Sequence, residues 1–253
     1  MCHGTCINHY FVSPIRSASA VRSRGKRCVT TGCSHLVEEC STRTWSKPLT
    51  AVAGVAGPVV VALGKFDGMH QGHRLLAQQA ASSGSPFLLS FSGMAEVLGW
   101  PARLPLVAPS DRARVLASWT SHCQGRTPRQ RYIPFAMVRT LSPEAFVKTL
   151  VEDLQISGIV VGQNYRFGYK AAGDSKLLQA LGEAHGIHVD IVDLVGAGPG
   201  SVMGQVSSSK IRSALNQGRM QQVAESLGRP YRLVADISPD FGRPGSTVLR
   251  STC

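Results

Sequence analysis

From residue 59 onward the chain repeats one pattern: a short apolar run, a stretch with helical spacing, then another apolar run. Short β-branched runs without polar alternation suit strands buried on both faces of a sheet. VVVALG at 59–64 is the first, followed by a helix over 70–83 that carries Leu75, Leu76 and Gln79 and closes near Gly84. PFLLSF at 86–91, RYIPF at 131–135, GIVVG at 158–162 and residues 188–194 supply four further strands. Helices are predicted between them, over 109–119 with Ser110 as cap, from Ser142-Pro143-Glu144 to about Leu154, and over 174–185. Two more follow the fifth strand, at 207–216 and 221–227. Strands alternating with helices at this spacing build right-handed βαβ units. The expected fold is α/β, a five-stranded parallel sheet with helices on both faces. Ligands in such sheets bind beyond the carboxyl ends of the strands, near the point where strand order reverses.

Composition organises the rest. Residues 1–50 hold seven Lys or Arg against only Glu38 and Glu39, are rich in Ser and Thr, and lack the continuous apolar core of a secretory signal. That composition resembles an organellar transit peptide, and the segment is expected to be disordered. Residues 51–57 read as a Gly/Ala linker, 58–233 as one domain, and 234–253 as a short irregular tail, expected to be unpaired and mobile. Of the formal charge of +12, +5 falls in the leader and the remaining +7 is spread thinly, and no basic stretch interleaved with aromatics marks a nucleic-acid surface. No apolar run approaches the roughly 18 residues that span a bilayer. Neither nucleic acid nor membrane is therefore expected as a partner. Five of the seven cysteines lie in the leader, and Cys28, Cys33 and His35 lack the second ligand pair that a zinc site needs. No protein metal site is expected.

Three motifs carry chemistry. GKFDGMHQGH at 64–73 follows the first strand: Gly64 ends it, Gly68 and Gly72 allow close backbone approach, and His70 and His73 share one face at a helix start. A helix N-terminus offers unpaired N–H groups and a positive dipole end, both suited to anionic oxygens. VGQNYRFGYKAAGD at 161–174 follows the fourth strand, with Asn164, Arg166 and Lys170 bracketed by glycines, placed to close over a nucleotide. VSSSKIR at 206–212 opens a late helix, where serine hydroxyls and Arg212, on one face with Ser208 and Ser209, suit a phosphate.

Together these residues resemble the nucleotidyltransferase superfamily, through HQGH after the first strand and SSSKIR near the end. The narrower resemblance is to FAD synthetase, the FMN adenylyltransferase of prokaryotes and plastids. It rests on GKFDGMHQGH, QNYRFGYKAAGD and VSSSKIRSALNQGRMQQVAESLGRPY, and covers residues 58–233. The resemblance implies a Rossmann-like nucleotidyltransferase fold and transfer of AMP from ATP to FMN, giving FAD and pyrophosphate. It implies ATP contacts from Gly64, Phe66, Asp67, Gly68, His70, His73, Ser208, Ser209 and Arg212. Catalytic roles fall to His70, His73, Asn164, Ser208, Ser209 and Arg212, with Asn164 between ATP and the flavin. Mg²⁺ is expected as cofactor, held mainly through ATP. Bacterial members carry a Pro-His-Pro-like sequence after the second strand, where this chain has Ser92-Gly93-Met94-Ala95. They also continue into a riboflavin kinase barrel, whereas about twenty residues follow Arg232 here, too few for a barrel. Kinase activity is therefore not expected. The plant-like resemblance points the leader to the plastid stroma, with the mitochondrion as alternative. Two other readings stay open: a related transferase acting on NMN, pantetheine phosphate or a CTP-activated alcohol, and a nucleotide- or flavin-binding isoform without turnover.

Overall fold

Strands form where the buried apolar runs lie. A computed structural model of the chain describes residues 37–38, 46–101, 103–193, 205–234, 236–237 and 249–250. In chain order the strands are β1 (Val37–Glu38), β2 (Val59–Leu63), β3 (Ser85–Ser92), β4 (Arg129–Pro134), β5 (Gly158–Gly162), β6 (Arg166–Phe167), β7 (Gly173–Asp174), β8 (His188–Val192), β9 (Asp236–Ile237) and β10 (Leu249–Arg250). The helices are α1 (Gln71–Ser83), α2 (Met94–Leu98), α3 (Arg112–Ser118), α4 (Phe135–Val138), α5 (Pro143–Glu152), α6 (Ser175–Ala184), α7 (Ser208–Asn216) and α8 (Met220–Leu227). The main sheet runs β1-β4-β3-β2-β5-β8 with every neighbouring pair parallel. The chain builds outward from β2 through β3 to β4, then returns to lay β5 on the other side of β2. Strand order thus reverses between β2 and β5, and their carboxyl ends open beside each other.

Side chains alternate across each strand, so one sheet serves two cores. Val59, Val61 and Leu63 of β2 face Phe146, Val147 and Leu150 of α5 and Leu178 of α6. Val60 and Ala62 face Ala77, Ala80 and Ala81 of α1 and Val115 and Leu116 of α3. The five expected strands and the helices on both faces are present. A third cluster joins Ile211 and Ala214 of α7 to Val223 and Leu227 of α8 and to Leu106, beside the carboxyl edge of the sheet. Ser142, Asp174 and Ser207 cap α5, α6 and α7, accepting from the amides of Ala145, Leu177 and Lys210. No helix among the described residues is long and apolar enough to cross a membrane.

Four features differ from the sequence reading. Packing begins upstream of the expected domain start: Val37–Glu38 pairs in parallel with β4, and Leu49 is fully buried, its amide donating to the Leu154 carbonyl at 3.0 Å. One buried leucine in a polar stretch carries no periodicity, so composition alone could not flag it. Residues 1–36, the greater part of the expected leader, lie outside the described residues. Ser110 does not cap α3: Pro109–Asp111 forms a 3₁₀ turn ahead of the helix, and no side chain caps it. The 161–174 segment is not an open loop throughout, because β6 and β7 pair as an antiparallel ladder that buries Phe167 against Gly173. In the tail, expected to be unpaired, β9 and β10 form a two-residue antiparallel ladder.

Leu49→Ala should destabilise the domain by about 2–5 kcal/mol, as large-to-small changes in well-packed cores do. Denaturant unfolding of the full chain checks this, and a change below about 0.5 kcal/mol, the range of ordinary surface substitutions, would place Leu49 outside the cooperative core.

Candidate active site

The turn from β2 into α1 forms the floor of the site. Phe66 and Met69 both sit at φ 43°, in the left-handed region that side chains normally avoid. The Phe66 ring folds back over the strand end, where a Cβ on Gly64 would stand 3.1 Å from it. A Cβ on Gly68 would stand 3.2 Å from Leu106 Cδ1 and 3.3 Å from Ser208 Oγ. Gly68 therefore admits the start of α7 to the turn, bringing the first and third motifs together across some 140 residues of sequence.

His70 caps α1. Its Nδ1 accepts from the His73 amide at 3.4 Å, which assigns the neutral ring proton to Nε2. The two imidazoles stack with centroids 3.7 Å apart and planes inclined by 17°, and Phe66 meets His73 edge-on at 4.9 Å. Gly72 matters here, since a Cβ there would press on the His70 ring at 3.3 Å. Burial lowers the His70 pKa to about 4, with the Arg229 charge adding to the effect and Asp67 opposing it. His73 is held well below the ordinary imidazole range, by burial first and then by His70, Arg112 and Arg229. Its Nδ1 is buried and meets no hydrogen-bond partner. Both rings are neutral near pH 7.

Arg212 reaches the same turn from α7. Its Nη2 donates to Asp67 Oδ2 at 2.7 Å and to the Leu104 carbonyl at 2.8 Å, while Asp67 Oδ1 accepts from the Leu106 amide at 3.1 Å. Asp67 thus joins the turn, the 104–106 segment and α7. Behind the turn, Arg112 of α3 donates to the Phe66 carbonyl, and Arg229, just past α8, donates to the carbonyls of Gly68 and Met69. Lys65 stands 5.4 Å over the exposed Trp100 ring at the rim.

Of the residues expected at the site, Gly64, Asp67, Gly68, His70, His73, Ser208 and Arg212 are brought together. Three stand differently. The Phe66 side chain is fully buried and supports His73, so it cannot offer a surface to a nucleotide. Ser209 is exposed on the outer part of the α7 start, because Ser207 rather than Ser208 is the cap and the helix turns Ser208 toward Gly68. Asn164 lies exposed just beyond β5, with its Oδ1 beside Gly162, at the same sheet edge as the histidines. The sequence reading missed Arg112 and Arg229 as parts of the turn. Arg229 lies in SLGRPY, which flagged it only through resemblance, and nothing local distinguishes Arg112 from the arginines around it.

Because His70 and His73 have lowered pKa values, the unfolded chain binds protons that the folded rings refuse. The contribution of His70 to stability is present above pH 6.5 and is lost as pH falls through about 4, and His73 acts in the same direction. His70→Asn retains a capping acceptor and should flatten the decline in unfolding free energy between those pH values. A wild-type slope in that variant would show that His70 is not the source.

The FAD synthetase family model matches residues 128–209. The chain is 44% identical over 243 residues to FAD synthetase 2, chloroplastic, of Arabidopsis thaliana, covering 91% of this chain and 66% of that protein. It is 47% identical over 206 residues to FAD synthetase 1, chloroplastic, of the same plant, covering 75% of this chain and 58% of that one. The chain therefore spans slightly under two thirds of the length of these curated relatives. A crystal structure of a macrolide-efflux protein from Streptococcus pneumoniae shares the fold, with a TM-score of 0.60 at 23% identity over 74% of this chain and 60% of that one. The histidine turn and the serine–arginine helix start meet at one sheet edge, and the chain is similar to the chloroplastic FAD synthetases along most of its own length.

Proposed function

We propose that this protein transfers AMP from ATP to FMN, forming FAD and releasing pyrophosphate. The observation that carries the reading is the stacked His70–His73 pair at the start of α1, faced by Ser208 and Arg212 from α7. An oxygen of the FMN phosphate attacks the α-phosphorus of ATP. The bond from that phosphorus to the oxygen bridging toward the β-phosphate breaks, and pyrophosphate leaves with the electron pair. A phosphate monoester is largely dianionic near neutral pH, so the nucleophile needs no general base. The protein's task is alignment and stabilisation of developing charge.

Neutral imidazoles suit that task. His70 donates from Nε2 to a phosphate oxygen, and His73 holds the His70 ring in place by stacking while its own amide fixes the tautomer. The amides that open α1 add donors and the positive end of the helix dipole. Arg212 and Ser208 grip the departing pyrophosphate side, with Arg212 moving part of its hydrogen bonding from Asp67 to phosphate, and Ser209 stands at the outer rim of that grip. Gly64, Asp67 and Gly68 shape the adenine and ribose end, and Asn164, at the neighbouring strand end, lies between the two substrates.

The reaction implies a divalent metal, and Mg²⁺ is the ion we assign. Among the described residues no group of three or more His, Cys, Asp or Glu is placed to hold a metal. The ion would be held mainly by ATP phosphate oxygens and water. We also assign the protein to the plastid, on the leader composition and on the chloroplastic relatives.

Incubation with ATP and Mg²⁺ plus FMN, NMN or pantetheine phosphate in turn should release pyrophosphate with FMN alone, with FAD formed in equal amount. Turnover with another acceptor, or ATP binding without turnover, would replace this reading by one of its two rivals. His70→Ala and Arg212→Ala should each lower kcat/KM about a hundredfold or more, since a lost oxyanion donor removes roughly 3 kcal/mol of transition-state stabilisation. A folded variant within threefold of wild type would remove that residue from the machinery.

A further inference from the structure

Two guanidiniums, Arg112 buried and Arg229 partly buried, stand behind the turn that leads into α1. Arg112 is 5% exposed and donates from Nη2 to the Phe66 carbonyl at 2.6 Å and from Nε to Gln130 Oε1 at 2.7 Å. Arg229 donates from Nη1 to the carbonyls of Met69 at 2.6 Å and Leu227 at 3.1 Å, and from Nη2 to the Gly68 carbonyl at 3.1 Å. They come from elements more than a hundred residues apart in sequence and converge on one short segment. Neither stands at ion-pair distance from a carboxylate among the described residues: Asp111 pairs with Arg114 and Arg232, and Asp67 with Arg212, and these carboxylates act on Arg229 and Arg112 only through their field. Burial lowers the Arg229 pKa to about 10, so it remains charged at neutral pH. A buried charge satisfied chiefly by neutral carbonyls is expensive in free energy, and arginine does not escape by losing its proton.

The direction of these hydrogen bonds is informative. In a trans peptide the N–H points opposite to the carbonyl of the same plane, and no peptide bond here is cis. Carbonyls of Phe66, Gly68 and Met69 drawn back to the arginines therefore turn the amides of Asp67, Met69 and His70 the other way. No acceptor among the described residues meets those three amides. Residues at positive φ beside such outward amides make the concave nests that hold anions, and Phe66 and Met69 supply the positive φ values.

We propose that Arg112 and Arg229 are positioning residues that aim the amides of Asp67, Met69 and His70 at the bound triphosphate, whose negative charge completes their charge balance. The inference rests on the reading that a nucleotide faces this turn, and deepens it by assigning work to residues that do not touch substrate. Neither arginine has a carboxylate at ion-pair distance among the described residues, and a bound triphosphate would add negative charge on the far side of the turn. Their field also disfavours a proton on His70 and His73, which keeps the imidazoles as neutral donors.

The test uses the full chain and reads melting temperature with and without inorganic tripolyphosphate or ATP, together with KM for ATP. Wild type should gain about 5 °C or more at a hundredfold excess of ligand over Kd. Arg112→Met and Arg229→Met remove a charge but leave turn carbonyls without donors, so each variant's melting temperature without ligand serves as its own reference for the ligand-induced shift. Each should lose at least half of the ligand-induced shift, and KM for ATP should rise about tenfold or more. The lysine variants, which keep the charge but lose the fork, should fall between. An undiminished ligand-induced shift and an unchanged KM would make both arginines merely structural and overturn the inference. If the methionine variants do not fold, the lysine variants decide on the same two readouts. Stabilisation of wild type by tripolyphosphate without FAD formation would sink the adenylylation reading and leave this inference standing. FAD formation with wild-type KM and ligand shift in every variant would do the reverse.

Discussion

The segment from Gly64 to His70 would not hold its shape alone. Two of its residues, Phe66 and Met69, occupy a backbone region that costs a non-glycine residue about 1–3 kcal/mol. Such strain persists only where surrounding structure over-determines it. Here the determinants are hydrogen bonds from Arg112 and Arg229 to the turn carbonyls, the Phe66 ring packed over Gly64, and Asp67 bridged to Leu106 and Arg212. Each comes from a different part of the chain. The position of the His70–His73 stack, and with it the reach of α7, follows from that turn.

The sheet makes this convergence possible. All neighbouring strands of the main sheet are parallel, so every strand delivers its following segment to the same edge. With β2 and β5 adjacent and strand order reversing between them, the histidine turn and the Asn164 segment emerge side by side. α7 and α8 add the remaining groups through a small apolar cluster around Leu106, Val206 and Ile211 rather than through the sheet. The site is thus anchored in the sheet where it meets β2 and α1, and on the α7 side it depends on that cluster and on the Arg212–Asp67 pair.

Much of this was legible from the residues. GIVVG matched β5 at both ends, Ser142-Pro143-Glu144 announced a helix start that Ser142 caps as expected, and the helix expected from Asp174 begins one residue later with Asp174 as its cap. His70 and His73 on one face, with serines and Arg212 at a second helix start, pointed to one anionic ligand before any geometry was known. Less legible were features that depend on a single contact at long range. Leu49 is one leucine in a polar stretch, and Phe167 is an aromatic in a glycine-rich loop, yet both are buried. Phe66, expected beside ATP, became part of the core because Gly64 leaves room for its ring.

Sequence by itself determined what is periodic and local: buried strands, helix starts, and the grouping of histidines at one helix start and of serines and an arginine at another. Those signals need only neighbours within a turn or two, so they survive without knowledge of the fold. Tertiary structure alone decided which charges meet. Arg212 faces Asp67 across 145 positions, Arg229 reaches Gly68 across 161, and Arg112 reaches Phe66 across 46. A guanidinium carries no mark of its partner in its own flanking residues, because burial and hydrogen-bond geometry exist only after distant segments have packed.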